Sequence, residues 1–111
     1  MSATKADLRN RALEHLGVLA AGESPSAEDA ALVDGRIDSL HEKLMARRLV
    51  NFETSAIPDE AVHDYMRIVA NECAQAFGLP RIEAETMSAE AELRKLIKRS
   101  KADGYARAVY Y

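Results

Sequence analysis

The stretch PDEAVHDYMRIVANECAQAFG, from Pro58 to Gly78, predicts the central helix of the fold. Pro58 suits the first helical turn because that turn does not need its missing N–H, and the acidic Asp59 and Glu60 are favourable at the positive end of the helix dipole. Gly78 can adopt the left-handed conformation that ends a helix. Apolar residues recur at helical spacing and form one stripe: Val62, Tyr65, Met66, Val69, Cys73, Ala76 and Phe77. Such a stripe is typical of a helix at the centre of a core.

Upstream of this helix, residues 4–48 predict a helical hairpin. Thr4 can cap a first helix, with Asp7 in its first turn, and Gly17 supplies a left-handed stop. The following residues VLAAGESP break the helical period, and Ser26 offers a second N-cap. The second helix is predicted from Ala27 to about Arg48, with an apolar face that comprises Val33, Ile37, Leu40 and Leu44.

The segment LVNFETSAIPDE, residues 49–60, interrupts the pattern and is compatible with a short strand or a loop. Ile57 must be extended because it precedes a proline. A fourth helix is predicted from residue 79 to Asp103–Gly104, with inward side chains at Ile82, Ala89, Leu93, Leu96 and Ile97. We therefore expect an all-α, four-helix bundle-like single domain over residues 1–104, and a short extended C-terminal tail over residues 105–111.

Composition agrees with a helical domain and narrows the function classes. Hydrophobic residues make up 48% of the 111 residues, but aromatic residues only 5%, which suits close helix packing better than a β-sandwich. The net charge of -3 argues against a broad basic surface that coats nucleic acid. A single cysteine excludes an intramolecular disulfide, and neither a secretory signal nor a run of ~18 apolar residues is present. We expect a reducing cytoplasmic environment and no membrane partner.

Residues that could act in catalysis or metal binding are present, but not at the spacing that such sites require. His15, His41 and His63 are not arranged as helical metal ligands, and no glycine-rich phosphate loop occurs. Cys73 lies in the apolar stripe, where a thiol acts as a small hydrophobe with a raised pKa. The acidic residues lie on predicted helix faces with basic residues nearby, which is typical of solvated surfaces. No pair of them stands out as a general acid and base. The sequence thus predicts no catalytic residue, no metal site and no cofactor.

Two C-terminal features are candidates for binding. The first is a basic run that offers candidate DNA contacts at Arg94, Lys95, Lys98, Arg99 and Lys101. Cations near a helix C-terminus are also favourable for the dipole alone, and this reading stays open. The second is the tail, whose aromatic and apolar residues are typical of interface anchors: Tyr105, Arg107, Val109, Tyr110 and Tyr111. The alternative is that the tail packs back on its own domain.

The stretch ADLRNRALEHLGVLAAGESPSAEDAALVDGRIDSLHEKL, residues 6–44, resembles the N-terminal half of the head-to-tail adaptor proteins of tailed bacteriophages. The resemblance is to the podovirus tail accessory factors, also called packaged-DNA stabilisation proteins. It rests on a short helix closing on Leu-Gly-Val, a small and acidic loop and a long helix, matched here by Leu16, Gly17, Val18, Asp34, Leu40, Leu44 and Met45. The segment YMRIVANECAQAFGLP, residues 65–80, also resembles the family, so that about the first 80 residues are covered.

The resemblance implies an all-α adaptor in the virion, assembled in the bacterial host cytoplasm. Family members usually form a ring of twelve copies under the portal protein, seal the packaged DNA in the channel and provide a platform for tail or nozzle proteins. Their C-terminal segment docks on the portal, and residues 105–111 stand in that place as a much shorter segment. Some family members are linked to peptidoglycan hydrolysis, but no glutamate or aspartate here has a discernible catalytic setting, so we expect a connector without catalysis. The implied source is a phage, a prophage or a gene-transfer particle.

A ring needs contacts between copies, and the irregular segment after the second helix is our candidate. Val50 and Phe52 are apolar residues in a stretch too short to form its own core, so we expect them to be exposed and to meet a neighbouring copy. Arg47 and Arg48 would flank them as polar contacts. Two other readings remain open: a helical DNA-binding or DNA-packaging module that uses Arg94 to Lys101, and a small enzyme.

Overall fold

The structure, a computed structural model, describes the backbone of residues 2–109 and the side chains of residues 2–99. The described part is an all-α domain with one minimal sheet, which confirms the predicted fold class. The elements are the helices α1 (Lys5–His15), α2 (Ala27–Ala46), α3 (Asp59–Cys73) and α4 (Glu83–Val109), the strands β1 (Ser2–Ala3) and β2 (Ile57–Pro58), and a 3₁₀ turn at Ala74–Phe77.

The ends of α1 form as the local sequence predicts. The Thr4 hydroxyl accepts a hydrogen bond from the Asp7 amide at 3.3 Å, and the Asp7 carboxylate accepts one from the Thr4 amide at 3.0 Å. This reciprocal pair satisfies amides that the first helical turn leaves without partners. At the other end Gly17 has a φ of 77°, a conformation that favours glycine over residues with a Cβ.

The helices α1 and α2 form an antiparallel hairpin, as expected. The Ser26 hydroxyl caps α2 by accepting from the Asp29 amide at 3.2 Å. Two ion pairs join the helices: Arg9 Nη1 lies 3.2 Å from Asp34 Oδ2, and Lys5 Nζ lies 2.7 Å from Asp38 Oδ1. Because Lys5 pairs with the later residue of α2, the helices run in opposite directions.

The helix α3 is the centre of the core, because it packs against α1, α2 and α4. Tyr65, Val69 and Cys73 are fully buried on it. The predicted stripe is confirmed except at Ala76, which is exposed. The helix tightens into the 3₁₀ turn after Cys73, and this change of period rotates Ala76 outward.

The connection between α2 and α3 is a loop that ends in a strand of two residues. β2 pairs antiparallel with β1, with Ala3 opposite Ile57, and both of these residues are buried. This pairing ties the N-terminus to the start of α3. Leu49 and Val50 are also buried, so the loop contributes to the core.

The helix α4 departs from the sequence prediction at both ends. It begins at Glu83, which leaves Ile82 outside it and 52% exposed, contrary to the expected inward position. It continues through Gly104 to Val109, so the predicted helix end at Asp103–Gly104 and the extended conformation expected for residues 105–109 are wrong. One glycine costs a helix only about 1 kcal/mol relative to alanine, and the alanines and Arg107 around it favour the helix.

A buried amide fixes where α4 starts. Asn71 on α3 donates from Nδ2 to the Ile82 carbonyl at 2.8 Å and to the Thr86 hydroxyl at 2.6 Å. Its Oδ1 accepts from the Ile82 amide at 2.9 Å. Two of these bonds satisfy backbone groups of Ile82 and the third satisfies the Thr86 hydroxyl, and together they hold the segment before α4 against α3.

Candidate interaction surfaces

Val50 and Phe52, the apolar part of the predicted ring interface, pack on the domain itself. Val50 is 3% exposed, and Phe52 is half-buried against the core. The expectation that both are exposed is therefore wrong. Phe52 lines a groove together with Leu93 and Leu96 of α4, and Val50 belongs to the core, so this long-range packing brings the two side chains inward. Of the four residues of the predicted ring interface, only Arg47 and Arg48 are exposed.

Arg47 is occupied by a partner in its own chain. Its guanidinium makes a two-pronged ion pair with the Glu90 carboxylate, with N–O distances of 2.8 and 3.0 Å. The hydrogen bonds to Glu90 raise the pKa of Arg47. This pair joins the end of α2 to α4. Arg48 has a φ of 59° and is exposed, with no ion pair among the described side chains.

Behind Phe52 lies an aromatic cluster that the sequence did not reveal. The rings of His41 and Tyr65 stack at a centroid distance of 6.0 Å, and Phe52 lies 6.1 Å from the Tyr65 ring. The Tyr65 hydroxyl and His41 Nδ1 are hydrogen-bonded at 2.8 Å. Burial, with a contribution from Asp38, raises the pKa of Tyr65, so this hydroxyl stays protonated. The buried Nε2 of His41 has no hydrogen-bond partner in the described part of the chain.

The other candidates for chemistry behave as structural or surface groups. His15 and His63 are exposed, and burial raises the pKa of the Cys73 thiol to about 11, so Cys73 is a neutral core residue at pH 7. No three His, Cys, Asp or Glu side chains lie close enough to hold a metal ion, as far as the structure describes them.

The basic run forms an exposed surface on α4. Arg94, Lys95, Lys98 and Arg99 are all exposed, and Lys95 Nζ lies 3.1 Å from Glu92 Oε1. The other three have no ion pair among the described residues, so their charges face solvent. The side chain of Lys101 lies outside the described residues. We call Arg94, Lys95, Lys98 and Arg99 the basic segment.

The predicted docking tail falls at the limit of the described chain. The backbones of Tyr105, Arg107 and Val109 belong to α4, and their side chains lie outside the described residues. Tyr110 and Tyr111 also lie outside them.

A groove at the entrance of α4 was missed by the sequence reasoning. The end of α1 and the segment before α4 enclose a cavity of about 240 Å³, lined in part by His15, Leu16, Leu79, Pro80 and Ile82. Leu79 and Ile82 are 39% and 52% exposed, and Val18 beside Leu16 is 38% exposed. The Leu-Pro-x-Ile segment that follows the helix-ending Gly78 could have indicated this groove. Its apolar residues lie in a short connection between two helices, which cannot bury them.

Comparison of the chain with protein-family models, curated proteins and solved structures found no match. Within residues 2–109, no helix has the length and apolar character needed to cross a membrane.

Proposed function

We propose that this chain is a structural head-to-tail adaptor of a tailed bacteriophage or a phage-like particle. In this role it forms a ring under the portal, seals the packaged DNA and joins the tail. It acts by binding and not by catalysis, and its partners are the portal protein, neighbouring copies and tail or nozzle proteins. Its location would be the head–tail junction of the virion.

The observation that carries the proposal is the hairpin of α1 and α2. The short helix closes at Leu16, Gly17 takes the left-handed conformation, and an acidic loop leads into the long α2. These features occur at the positions on which the resemblance to the phage adaptors rests. The helix ends lie at the capping residues of this stretch, so the hairpin is compatible with the adaptor role.

In this proposal the last residues of the chain contact the portal. Since α4 continues to Val109, the candidate docking residues at 105–109 are presented on the end of a helix. The tyrosines offer apolar area and a hydroxyl with few rotatable bonds, which suits an interface anchor. A ring strengthens weak contacts, because many identical segments engage one symmetric partner together.

Deletion of residues 105–111 tests this role. The truncated chain should keep the thermal stability of the full chain and fail to attach to DNA-filled capsids that lack the adaptor, as measured by co-sedimentation. The double variant Tyr110→Ser/Tyr111→Ser is the milder version and should reduce attachment. Attachment of both variants at the level of the full chain would contradict the proposed portal contact.

The exposed basic segment supports one alternative, a DNA-binding or DNA-packaging module. Such a module should bind duplex DNA with an affinity that falls steeply as salt rises, because each phosphate contact releases a counterion. Titration of labelled duplex DNA at several salt concentrations separates the two functions. An adaptor should bind DNA weakly when isolated, and strong binding that is lost in Lys98→Glu/Arg99→Glu would favour the alternative.

A further inference from the structure

The charges of this chain are separated along the sequence. Residues 12–35 contain five acidic residues and no lysine or arginine, whereas residues 93–101 contain five basic residues and no acidic one. The exposed acidic members of the first stretch are Glu14 at the end of α1, Glu23 in the loop and Glu28 in the first turn of α2. We call these three residues the acidic end. None of them has an ion-pair partner among the described side chains.

The fold places the acidic end and the basic segment at opposite ends of α3. The end of α1 shares the groove at the entrance of α4 with Leu79 and Ile82, next to the last turns of α3. Farther along α4, Leu93 and Leu96 line a second groove with Pro58 and Ala61, at the start of α3. The two sites are therefore separated by the length of α3, which is about 20 Å for its 15 residues.

At this separation the two groups cannot neutralise each other within one molecule. Charges more than about 10 Å apart are largely screened at ~0.1 M salt, so the acidic end does not neutralise the basic segment. Within the basic segment only Lys95 has an ion pair in its own molecule, with Glu92, among the described side chains. The acidic end also carries apolar area, because Val18, Leu79 and Ile82 are exposed there. An exposed apolar patch with a charged border is typical of a protein-binding surface.

We infer that the basic segment of one copy docks on the acidic end of the next copy, in a head-to-tail contact. Charge complementarity selects a second copy as the occupant, since the chain itself carries both signs at opposite ends. DNA could contact only the basic segment, because the acidic end would repel it. A contact between two different surfaces of the same chain repeats from copy to copy and produces a ring or a filament.

The inference rests on the proposed function only in that both need copies of the chain to associate. It names the surfaces involved, which differ from the segment around Phe52. Its test uses the isolated full chain without portal or capsid. A failure here with normal attachment to capsids would therefore remove this contact and leave the adaptor role, and the reverse result would remove the adaptor role alone.

A charge-swap experiment tests the contact directly. Sedimentation velocity of the wild-type chain should give a mass above the 12.2 kDa of one copy that rises with concentration in ~0.05 M salt and returns to the monomer value in ~0.5 M salt. Glu14→Lys/Glu23→Lys and Lys98→Glu/Arg99→Glu should each remain monomeric in the low salt. Glu14→Lys should not harm the fold, because a cation is favourable in the last turn of α1.

Mixing the two variants should restore association, because each reversed surface then meets a complementary one. The matched control Glu42→Lys/Glu53→Lys reverses two exposed acidic residues outside the acidic end and should associate like the wild type. Three results would overturn the inference: a wild-type chain that is monomeric at every salt concentration, reversed variants that associate like the wild type, or a mixture that stays monomeric. Circular dichroism of each variant confirms that it is folded.

Discussion

Phe52 was expected to be exposed at a ring interface, but it packs against the core of its own domain. We predict that Phe52→Ser lowers the free energy of unfolding by about 2 kcal/mol, less than the ~3–5 kcal/mol of a fully buried phenylalanine truncated to alanine, because Phe52 is half-buried. Urea denaturation followed by circular dichroism measures this. Met45→Ser is the control, since Met45 is 41% exposed and should cost little. A Phe52→Ser chain as stable as the wild type, but unable to associate, would restore the predicted ring interface at this residue.

The hydrogen bond between Tyr65 and His41 should contribute to the stability of the domain. Tyr65→Phe keeps the ring and removes the hydroxyl, so His41 Nδ1 loses its partner in the interior. An unpartnered buried polar group costs about 1–3 kcal/mol, and we expect a loss of unfolding free energy in that range. His41→Leu and the double variant complete a mutant cycle in urea denaturation. Additive effects of the two changes would show that the bond contributes nothing to stability.

The capping pair Thr4–Asp7 should make the stability of helix α1 depend on pH. The hydrogen bonds from Thr4, that of its backbone first, lower the pKa of Asp7 below its ordinary value of 3.8. A carboxyl with a lowered pKa in the folded chain stabilises it above the unfolded pKa, and this contribution disappears as the pH falls through the lowered value. Asp7→Asn should therefore be less stable than the wild type at pH 7.

The stability difference caused by Asp7→Asn should shrink below about pH 4, because protonation then removes the same carboxylate from the wild type. Thermal melting of both chains between pH 7 and pH 2.5 measures the difference. Glu42→Gln, at an exposed glutamate of α2, is the control and should show no such trend. A difference that stays constant with pH would mean that the charge of Asp7 does not support the helix.

The helix boundaries also explain what could be predicted from the sequence. The caps at Thr4 and Ser26 and the stops at Gly17 and Gly78 depend on residues within one turn, so the sequence alone was sufficient. The start of α4 depends instead on Asn71, which lies 11 residues before Ile82. Such a contact has no local signature, and the prediction that Ile82 faces inward failed for this reason.

The candidate surfaces could be predicted only in part, because some of their contacts join residues that are distant in the sequence. The exposed charges of the basic segment could be identified because a run of cations seldom becomes buried. The inward positions of Val50 and Phe52 could not, because they depend on a loop that packs between elements distant in sequence. The ion pair between Arg47 and Glu90 was missed likewise, because the two residues lie 43 positions apart in the sequence.

In the whole molecule, the two surfaces of the proposed contact lie at opposite ends of one helical body. The ion pair between Arg47 and Glu90 and the hydrogen bonds of Asn71 hold the first two turns of α4 on the body, and the basic segment follows them on the same helix. The acidic end lies across the length of α3 from that segment. Such a polar subunit suits a repeating assembly, because each copy offers the next one a complementary surface.

We propose that this chain is a subunit of the head–tail junction. Electron cryomicroscopy of tailed particles from the strain that encodes the chain, focused on the capsid vertex that carries the portal, is the direct test. We expect density for the four-helix domain repeated in a ring directly below the portal, with the C-terminal end of α4 against the portal protein. A portal vertex whose ring is built from another protein, in particles from which mass spectrometry finds this chain absent, would contradict this role.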